Sequence, residues 1–429
     1  MQFLTASDPG FERAFERVVR NRRESDADVS RDVATMLNEV RERGDDALVE
    51  YTMRFDDHRL THEADWTIDG EACEAAYRDL EPDLREALEL AAKRIRAFHE
   101  HQLPADRDHT DEIGMRLGSR WRPVDAAGLY VPGGRASYPS SLLMNVIPAK
   151  VAGVERLVVT TPTPKGESNP LVLAAAHIAG VDEIWRVGGA QAVAAMAYGT
   201  ERIAKVDVIA GPGNAWVAEA KRQLYGVVGI DMVAGPSEIL VIADKDNDPE
   251  WIAADLLSQA EHDPTSQSIL ITDDKGLARM VEDTIDLQLM NLPTARTARA
   301  SWDAHGLIVV VENIEDAVPL ADRLAAEHVE LAVADPQALF DRLRHAGSVF
   351  FGRHTPEAVG DYIAGPNHVL PTGRRARFAS GLSVLDFMKR TSFIDASEAA
   401  LAAIGPAAIR LAEAEGLPAH AKSVALRLK

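Results

Sequence analysis

Gln259 and His262 form the most informative pair of side chains in this chain of 429 residues. They lie three positions apart near the end of a predicted helix, which Asp248 caps and Pro249 begins, so both project from one helical face. Two interpretations stay open. The pair is either the polar end of a surface helix or half of a metal site that needs two further ligands.

The dipeptide Glu327-His328 lies where a predicted helix after Asn313 leads into a predicted strand at Leu331. A buried acid beside a histidine is costly unless it has a role, and such a pair can act as general base and water activator. Because a Glu-His dipeptide is also common on protein surfaces, the residues alone leave both interpretations open.

Two glycine turns, 188–191 and 211–214, follow predicted strands and open predicted helices. Such turns direct backbone N–H groups at a helix N-terminus towards a phosphate. Neither turn has the G-x-G-x-x-G fingerprint, so both are also compatible with ordinary tight turns. A third glycine turn begins at Tyr130, whose ring either stacks on a planar ligand or packs in the core.

Asp361 and His368 lie in a loop-rich stretch after the last predicted strand. Asp361 is a candidate hard oxygen ligand, and His368 is a candidate for contacting substrate or for completing a turn. Arg374, Arg375 and Arg377 form a short basic run, which we interpret as a solvated face in preference to a phosphate site.

Composition disfavours several classes of protein. The formal charge of −21 argues against nucleic acid as the main partner, because phosphates would be repelled. No apolar run approaches the roughly 20 residues that span a bilayer, and the charged N-terminal stretch is unlike a secretory signal. Cys73, the single cysteine, fits a reducing cytoplasm and leaves no placed thiol for covalent aldehyde oxidation. Only ten of the 46 basic residues are Lys, which suits a salt-rich cytoplasm.

Residues up to about 125 have mostly helical periodicity, as in 31–51 and 81–101, and strands and helices alternate after them. We expect strands at 157–160, 184–187, 206–210, 239–243, 268–272, 307–311, 331–334 and 348–351. This alternation predicts parallel strands with right-handed crossovers. The fold class is therefore α/β, with two doubly wound, Rossmann-like units, a helical N-terminal segment and a short helical C-terminal tail over 396–414.

Nine motifs occur in a fixed order along the chain. They are GLYVPGGRASYPSS (128–141), VGGAQAV (187–193), GPGN (211–214), AGPSE (234–238), SQAEHDP (258–264), AEHVEL (326–331), TPEAVGDY (355–362), AGPNHVLPT (364–372) and EAEGLPAH (413–420). On this set the chain resembles the histidinol dehydrogenase family from about residue 30 to its end. Departures are minor, with Trp216 in place of the usual Tyr and Val329 in place of the common Leu.

The resemblance implies a set of site residues. The implied zinc ligands, for one zinc per subunit, are Gln259, His262, Asp361 and His420. The implied acid/base pair is Glu327 and His328, and the implied NAD contacts are Tyr130, Gln191 and Asn214. The residues implied to surround the substrate are Ser237, Gln259, His262, His328, Asp361, Glu415 and His420.

The activity that the resemblance implies is the last step of histidine biosynthesis. L-Histidinol would be oxidised twice by NAD, through L-histidinaldehyde to L-histidine, while zinc holds the substrate. His328 would be the general base, and Glu327 would activate water. Two alternatives remain: a zinc hydrolase with Glu327 as water activator, and a ligand-binding paralogue without catalysis.

The resemblance also implies a division of the chain. We expect 1–128 and 237–386 to form one α/β domain with the N-terminal helices and most metal and substrate residues. Residues 129–236 would form a Rossmann-like, NAD-contacting domain. The tail 387–429 would swap across a cytoplasmic homodimer, so that Glu415 and His420 complete the partner's site. The expected partner is a small molecule, L-histidinol, with neither nucleic acid nor membrane.

Overall fold

The computed structural model describes residues 1–21, 29–133, 138–233 and 235–428. The part of the third glycine turn beyond Gly133, and Ala234 of the fourth motif, lie outside the described residues.

Strands and helices are numbered here in chain order. The strands are β1 Gln2–Thr5, β2 Thr67–Ile68, β3 Arg107–Thr110, β4 Met115–Pro123, β5 Ala126–Tyr130, β6 Arg156–Thr160, β7 Glu183–Trp185, β8 Val208–Ala210, β9 Gly229–Ile230, β10 Glu238–Ala243, β11 Gln267–Thr272, β12 Leu307–Val310, β13 His328–Ala332, β14 Ser348–Phe351 and β15 Met388–Ala396. The helices are α1 Phe11–Asn21, α2 Ser30–Arg43, α3 Asp45–Asp56, α4 Glu63–Trp66, α5 Gly70–Arg78, α6 Pro82–Glu100, α7 Pro139–Ala152, α8 Pro170–Ala179, α9 Gly189–Tyr198, α10 Ala215–Leu224, α11 Pro249–Ala260, α12 Lys275–Leu289, α13 Ala295–His305, α14 Ala317–Leu324, α15 Pro336–Phe340, α16 Glu357–Tyr362, α17 Glu398–Ala414 and α18 Pro418–Ala425.

Two six-stranded sheets form the body of the molecule. The first has the order β2-β7-β6-β5-β8-β9, and its strands are parallel except for β2. The second has the order β1-β12-β11-β10-β13-β14 and is parallel throughout. Strands such as β10 are buried along their whole length because helices cover both faces of a parallel sheet. The predicted α/β fold with two doubly wound units is confirmed.

The N-terminal helices pack on the first sheet. The apolar face of α2, with Val33 and Leu37, is buried against the alanine-rich α9. On the other face, Leu88 and Ile95 of α6 pack in a cluster with α7 and α8. The domain division predicted from the sequence groups these helices with 237–386. In the structure, β1 and α1 are the elements described in 1–128 that join the second sheet. The apolar faces of these helices pack against helices of the first sheet. The periodicity of apolar residues predicts that a helix has a buried face, but it does not predict which sheet that face packs on.

A third, antiparallel sheet was not expected from the sequence. It has the order β15-β4-β3, and β15 pairs with β4 along its full length, from Met388 opposite Pro123 to Ala396 opposite Met115. The helical tail after it is confirmed as α17 and α18, which pack on each other. No helix in the described ranges is long and apolar enough to cross a membrane.

Candidate active site

One cavity of about 900 Å³ is lined by residues from both six-stranded units. Asn214 reaches it from the first unit, and His328 reaches it from the second. The other predicted site residues that line it are Ser237, Gln259, His262, Glu327, Asp361 and His368. Tyr130, Gln191, Glu415 and His420 are not among its lining residues. The structure thus brings most of the predicted residues to one place.

Helix α11 carries Gln259 into this cavity. The Asp248 side chain accepts a hydrogen bond from the backbone N–H of Glu250 at 2.8 Å, and Pro249 begins the helix, as predicted. Gln259 is fully buried, and neither atom of its amide has a hydrogen-bond partner among the described residues. His262 is exposed one turn later and also lines the cavity. The surface interpretation is therefore wrong for Gln259.

His328 is the first residue of β13, which begins three residues earlier than predicted. Its Nδ1 lies 3.2 Å from the backbone oxygen of Glu238 on β10. Because a carbonyl only accepts, Nδ1 carries the ring proton and Nε2 keeps its lone pair. Nε2 lies 3.7 Å from Oδ1 of Asp361 and has no hydrogen-bond partner within the described part of the chain. Burial lowers the pKa of His328 to about 4, so the ring is a neutral base.

Glu327 is buried directly before β13, so the Glu-His dipeptide is not a surface feature. Its carboxyl accepts a hydrogen bond from the backbone N–H of Glu238 at 3.0 Å. Burial raises the pKa of Glu327 well above its usual value, and the nearby carboxyls of Glu238, Asp361 and Glu357 raise it further. A carboxyl with a raised pKa is suited to exchanging protons with water near neutral pH.

Asp361 is held at the cavity by the segment that follows α16. His368 Nδ1 donates to the backbone oxygen of Asp361 at 2.9 Å. Arg94 of α6 donates to the carbonyls of Ile363 at 2.6 Å and Ala364 at 3.0 Å. These bonds fix a loop of the second unit against a helix of the first, and they fix the position of the Asp361 carboxylate with it.

Several donors around the cavity suit a metal ion. Gln259 offers a buried amide oxygen without a hydrogen-bond partner in the described ranges, His262 an imidazole, and Asp361 a carboxylate. Nitrogen and oxygen donors of this kind fit zinc. Ligand atoms of His328, Glu357 and Asp361 also lie within 4.8 Å of one another. This group shares only Asp361 with the predicted set.

The residues predicted to contact NAD surround the two glycine turns of the first unit. The Tyr130 hydroxyl accepts a hydrogen bond from the backbone N–H of Gly189 at 3.1 Å. Gln191 is buried, and its Oε1 has no hydrogen-bond partner among the described residues. Asn214 caps α10 through its side-chain oxygen and lines the large cavity. The glycine turns and the buried amide oxygen fit a dinucleotide bound beyond the carboxyl ends of the strands.

Comparisons with known proteins decide the family. A family model for histidinol dehydrogenase matches residues 19–428. A histidinol dehydrogenase of Zymomonas mobilis is 62% identical over 425 residues, which are 99% of each chain. One of Rhodospirillum rubrum is 61% identical over 426 residues, 99% of this chain and 98% of that one. The chain belongs to the histidinol dehydrogenase family.

A solved structure agrees with this. The histidinol dehydrogenase of Elizabethkingia anophelis is 36% identical, with a TM-score of 0.94 over 100% of this chain and 98% of that one. The chain is thus a histidinol dehydrogenase, an oxidoreductase of histidine biosynthesis, and its family implies the use of NAD. These comparisons do not favour the zinc hydrolase.

Glu357 lies beside His328 in the candidate site, and the sequence analysis does not predict it. Its Oε1 lies 3.5 Å from His328 Nδ1, and its Oε2 accepts from the Ser258 hydroxyl at 3.0 Å. Burial raises the pKa of Glu357 to about 8. The available signal was its spacing, since it lies one helical turn before Asp361 within a single motif.

In the basic run 374–377, Arg377 is exposed as predicted, but Arg374 and Arg375 do not belong to a solvated face. Arg374 is fully buried, forms an ion pair with Glu238 at 3.1 Å and donates to Gln267 Oε1 at 2.9 Å. Arg375 is half-buried and lines the dehydrogenase cavity. The prediction failed because the acid that pairs with Arg374 lies far away in sequence.

Proposed function

We propose that this enzyme oxidises L-histidinol twice with NAD, through L-histidinaldehyde to L-histidine. The observation that carries the proposal is the buried, neutral His328, which lines the cavity beside the buried Glu327 and whose Nε2 has no hydrogen-bond partner among the described residues. One site thus offers two bases for two different protons, the hydroxyl proton of an alcohol and a proton of water.

In the first step, His328 Nε2 takes the hydroxyl proton of histidinol while the carbon-bound hydrogen leaves as hydride to NAD. The products are the aldehyde, NADH and a protonated imidazole. Asp361 supports this transfer, because its carboxylate raises the pKa of the ring against the effect of burial. The hydrogen bond from Nδ1 to Glu238 keeps the ring in the orientation that accepts the proton.

In the second step, Glu327 takes a proton from water as that water adds to the aldehyde carbon. The resulting hydrate anion loses a hydride to a second NAD and gives the carboxylic acid, which releases its remaining proton to solvent as the carboxylate of histidine. This water-based route fits a chain whose only cysteine, Cys73, is buried in α5, outside the residues that line the cavity. Because one cavity would serve both steps, the reactive aldehyde need not leave the protein between them.

We propose zinc as the resident metal, held by Gln259, His262, Asp361 and His420. When bound, zinc supplies a positive centre that the amine and imidazole of histidinol can ligate. The unpaired amide of Gln259 supports this assignment, since a buried amide without hydrogen bonds is costly unless a ligand satisfies it.

We further propose that His420 and Glu415 act on the site of a second copy of the chain. Both are exposed at the tip of the tail, and neither lines the cavity of its own chain. A homodimer with exchanged tails would bring them to the neighbouring cavity. The cytoplasmic location and the suitability for a salt-rich cytoplasm stay predictions.

The decisive experiment combines NADH formation with metal analysis. We expect about two NADH per histidinol consumed, and one zinc per chain in the purified protein. The variant His262→Asn should lose zinc and activity together, because it removes one donor of the metal set. Hydrolysis of an amide or ester without NADH would overturn the proposal, and normal zinc content in His262→Asn would overturn the ligand assignment.

A further inference from the structure

A buried ion pair lies behind the glycine turn that leads to Asn214. Lys221 of α10 and Asp231, the residue after β9, form this pair, and their side chains are 2% and 0% exposed. Neither residue lines the large cavity. Two charges removed from water this completely are costly unless each has good partners, so the pair calls for a physical reason.

Both charged groups bind the same backbone residue, Gly211. The Lys221 ammonium donates to the Gly211 carbonyl at 2.9 Å. The Gly211 N–H donates to Oδ2 of Asp231 at 2.9 Å. The donor and the acceptor of one residue are thus held by two opposite charges, and hydrogen bonds to charged groups are stronger than neutral ones. The turn cannot shift without breaking both bonds.

Gly211 lies where the residues proposed to contact NAD converge. Its φ is +115°, and a Cβ there would meet the backbone oxygen of Tyr130 at 2.2 Å, so the two backbones pack directly on each other. Tyr130 in turn bonds Gly189, at the start of the helix that carries Gln191. Asn214 follows three residues after Gly211 and caps α10. A displaced Gly211 peptide would move all of these groups.

We propose that Lys221 and Asp231 are positioning residues, which hold the 211–214 turn and Tyr130 in the arrangement that binds a nicotinamide dinucleotide. The inference rests on the proposed NAD contacts of Tyr130, Gln191 and Asn214. The pair acts through the Gly211 peptide and leaves the proton transfers at His328 and Glu327 to other parts of the chain.

The test is NAD binding by calorimetry on the purified full chain, with steady-state kinetics beside it. In the double variant Lys221→Met/Asp231→Asn, no lone charge is buried, and Asn still accepts from Gly211 N–H while Met cannot donate to its carbonyl. We expect the Kd of NAD to rise about tenfold, the worth of an ordinary hydrogen bond. At saturating NAD, kcat should stay within about twofold, because the reacting groups are untouched.

A control in the same sheet is the partly exposed ion pair of Arg156 and Glu183, joined at 2.6 Å at the amino ends of β6 and β7. This pair lies at the amino ends of the parallel strands, whereas Gly211 follows the carboxyl end of β8 in the same sheet. Arg156→Met/Glu183→Gln should lower thermal stability and leave the Kd of NAD unchanged. An equal rise of that Kd in both double variants would mean general loosening and would overturn the proposal.

Asp231→Glu provides a second variant should the first not fold. It keeps the ion pair but moves the carboxylate from Gly211, and we expect a smaller rise in the Kd of NAD with a normal Kd for histidinol. An unchanged Kd of NAD in the Lys221 and Asp231 variants overturns the proposal.

Asn214→Ser, which can still cap α10, separates the positioning proposal from the proposed NAD site. If Asn214→Ser and the Lys221 and Asp231 variants all leave the Kd of NAD unchanged, the proposed NAD site is wrong. If Asn214→Ser raises the Kd of NAD and the other variants do not, only the positioning role is wrong.

Discussion

His328 and Glu327, which we propose as the two bases, show how one environment shifts two pKa values in opposite directions. Burial disfavours charge on each side chain, so it lowers the pKa of the histidine to about 4 and raises that of the glutamate. The imidazole is therefore neutral over the physiological range, whereas the carboxyl binds protons more tightly than usual. Backbone groups of Glu238 hold both, the carbonyl for His328 and the N–H for Glu327.

Glu327→Gln separates the two oxidations. The amide oxygen of Gln still accepts from Glu238 N–H, but it cannot take a proton from water. We expect the oxidation of added histidinaldehyde to slow by about 100-fold or more, the usual worth of a general base, while the first oxidation is largely spared. Rapid-mixing measurement of NADH from histidinol and from histidinaldehyde checks this. Equal losses in both steps would contradict the assigned role.

At the scale of elements, the sequence predicts those helices and strands whose capping residues and apolar pattern lie within the element itself. Helix α11 begins where the sequence places it, because Asp248 and Pro249 mark its start, but it ends at Ala260, so His262 lies just beyond the helix and not on its last turn. Strand β13 was misplaced, since its polar beginning, with His328 and Glu330, conceals a fully buried strand. Strands β3, β4 and β15 lack the buried apolar run of the predicted strands, since β3 and β15 are largely exposed and β4 is half-buried, and β15 pairs with β4 over a long sequence separation.

Three carboxyls join α11, β13 and α16: Glu330 and Glu357 are buried, and Asp255 is half-buried. Glu330 accepts from the backbone N–H of Glu357 at 2.6 Å and shares a hydrogen bond with the Asp255 carboxyl. Burial raises the pKa of all three acids, to about 6 for Asp255 and to about 8 for Glu357. Stability from an acid whose pKa is raised on folding is present at low pH and lost as the pH rises through the folded pKa.

Glu330→Gln should therefore stabilise the enzyme at alkaline pH. We expect the wild-type Tm to fall between about pH 5 and pH 8 through this cluster, and the variant to show a smaller fall and a higher Tm at pH 8. Gln keeps an acceptor for the Glu357 N–H. Scanning calorimetry over this range is the measurement. The exposed Glu312→Gln removes the same charge, and an identical pH profile in both variants would count against the cluster.

At the scale of the whole molecule, the sequence identifies both α/β units but not how they meet. The cavity uses residues from positions 2 to 375, and tertiary contacts such as those of Arg94 and Arg374 set its walls. The tail belongs to this scale as well. Much of α17 and α18 is exposed, and the predicted ligand His420 lies outside the cavity of its own chain. A single copy of the chain thus presents an incomplete set of the predicted residues.

Mixing two inactive variants tests whether sites are shared between copies. His328→Asn lacks the proposed base, and His420→Asn lacks the proposed tail ligand, so each alone should have little activity. If tails are exchanged, a mixed dimer has one site with the intact body of one chain and the intact tail of the other. Co-expression in equal amounts should then restore about one quarter of wild-type NADH formation, since half the dimers are mixed and half their sites are intact. A mixture of His328→Asn with Glu327→Gln, both in the body, should form no more NADH than the same amounts of the two variants prepared separately. Mixed dimers isolated with two affinity tags and found inactive would show that each chain completes its own site.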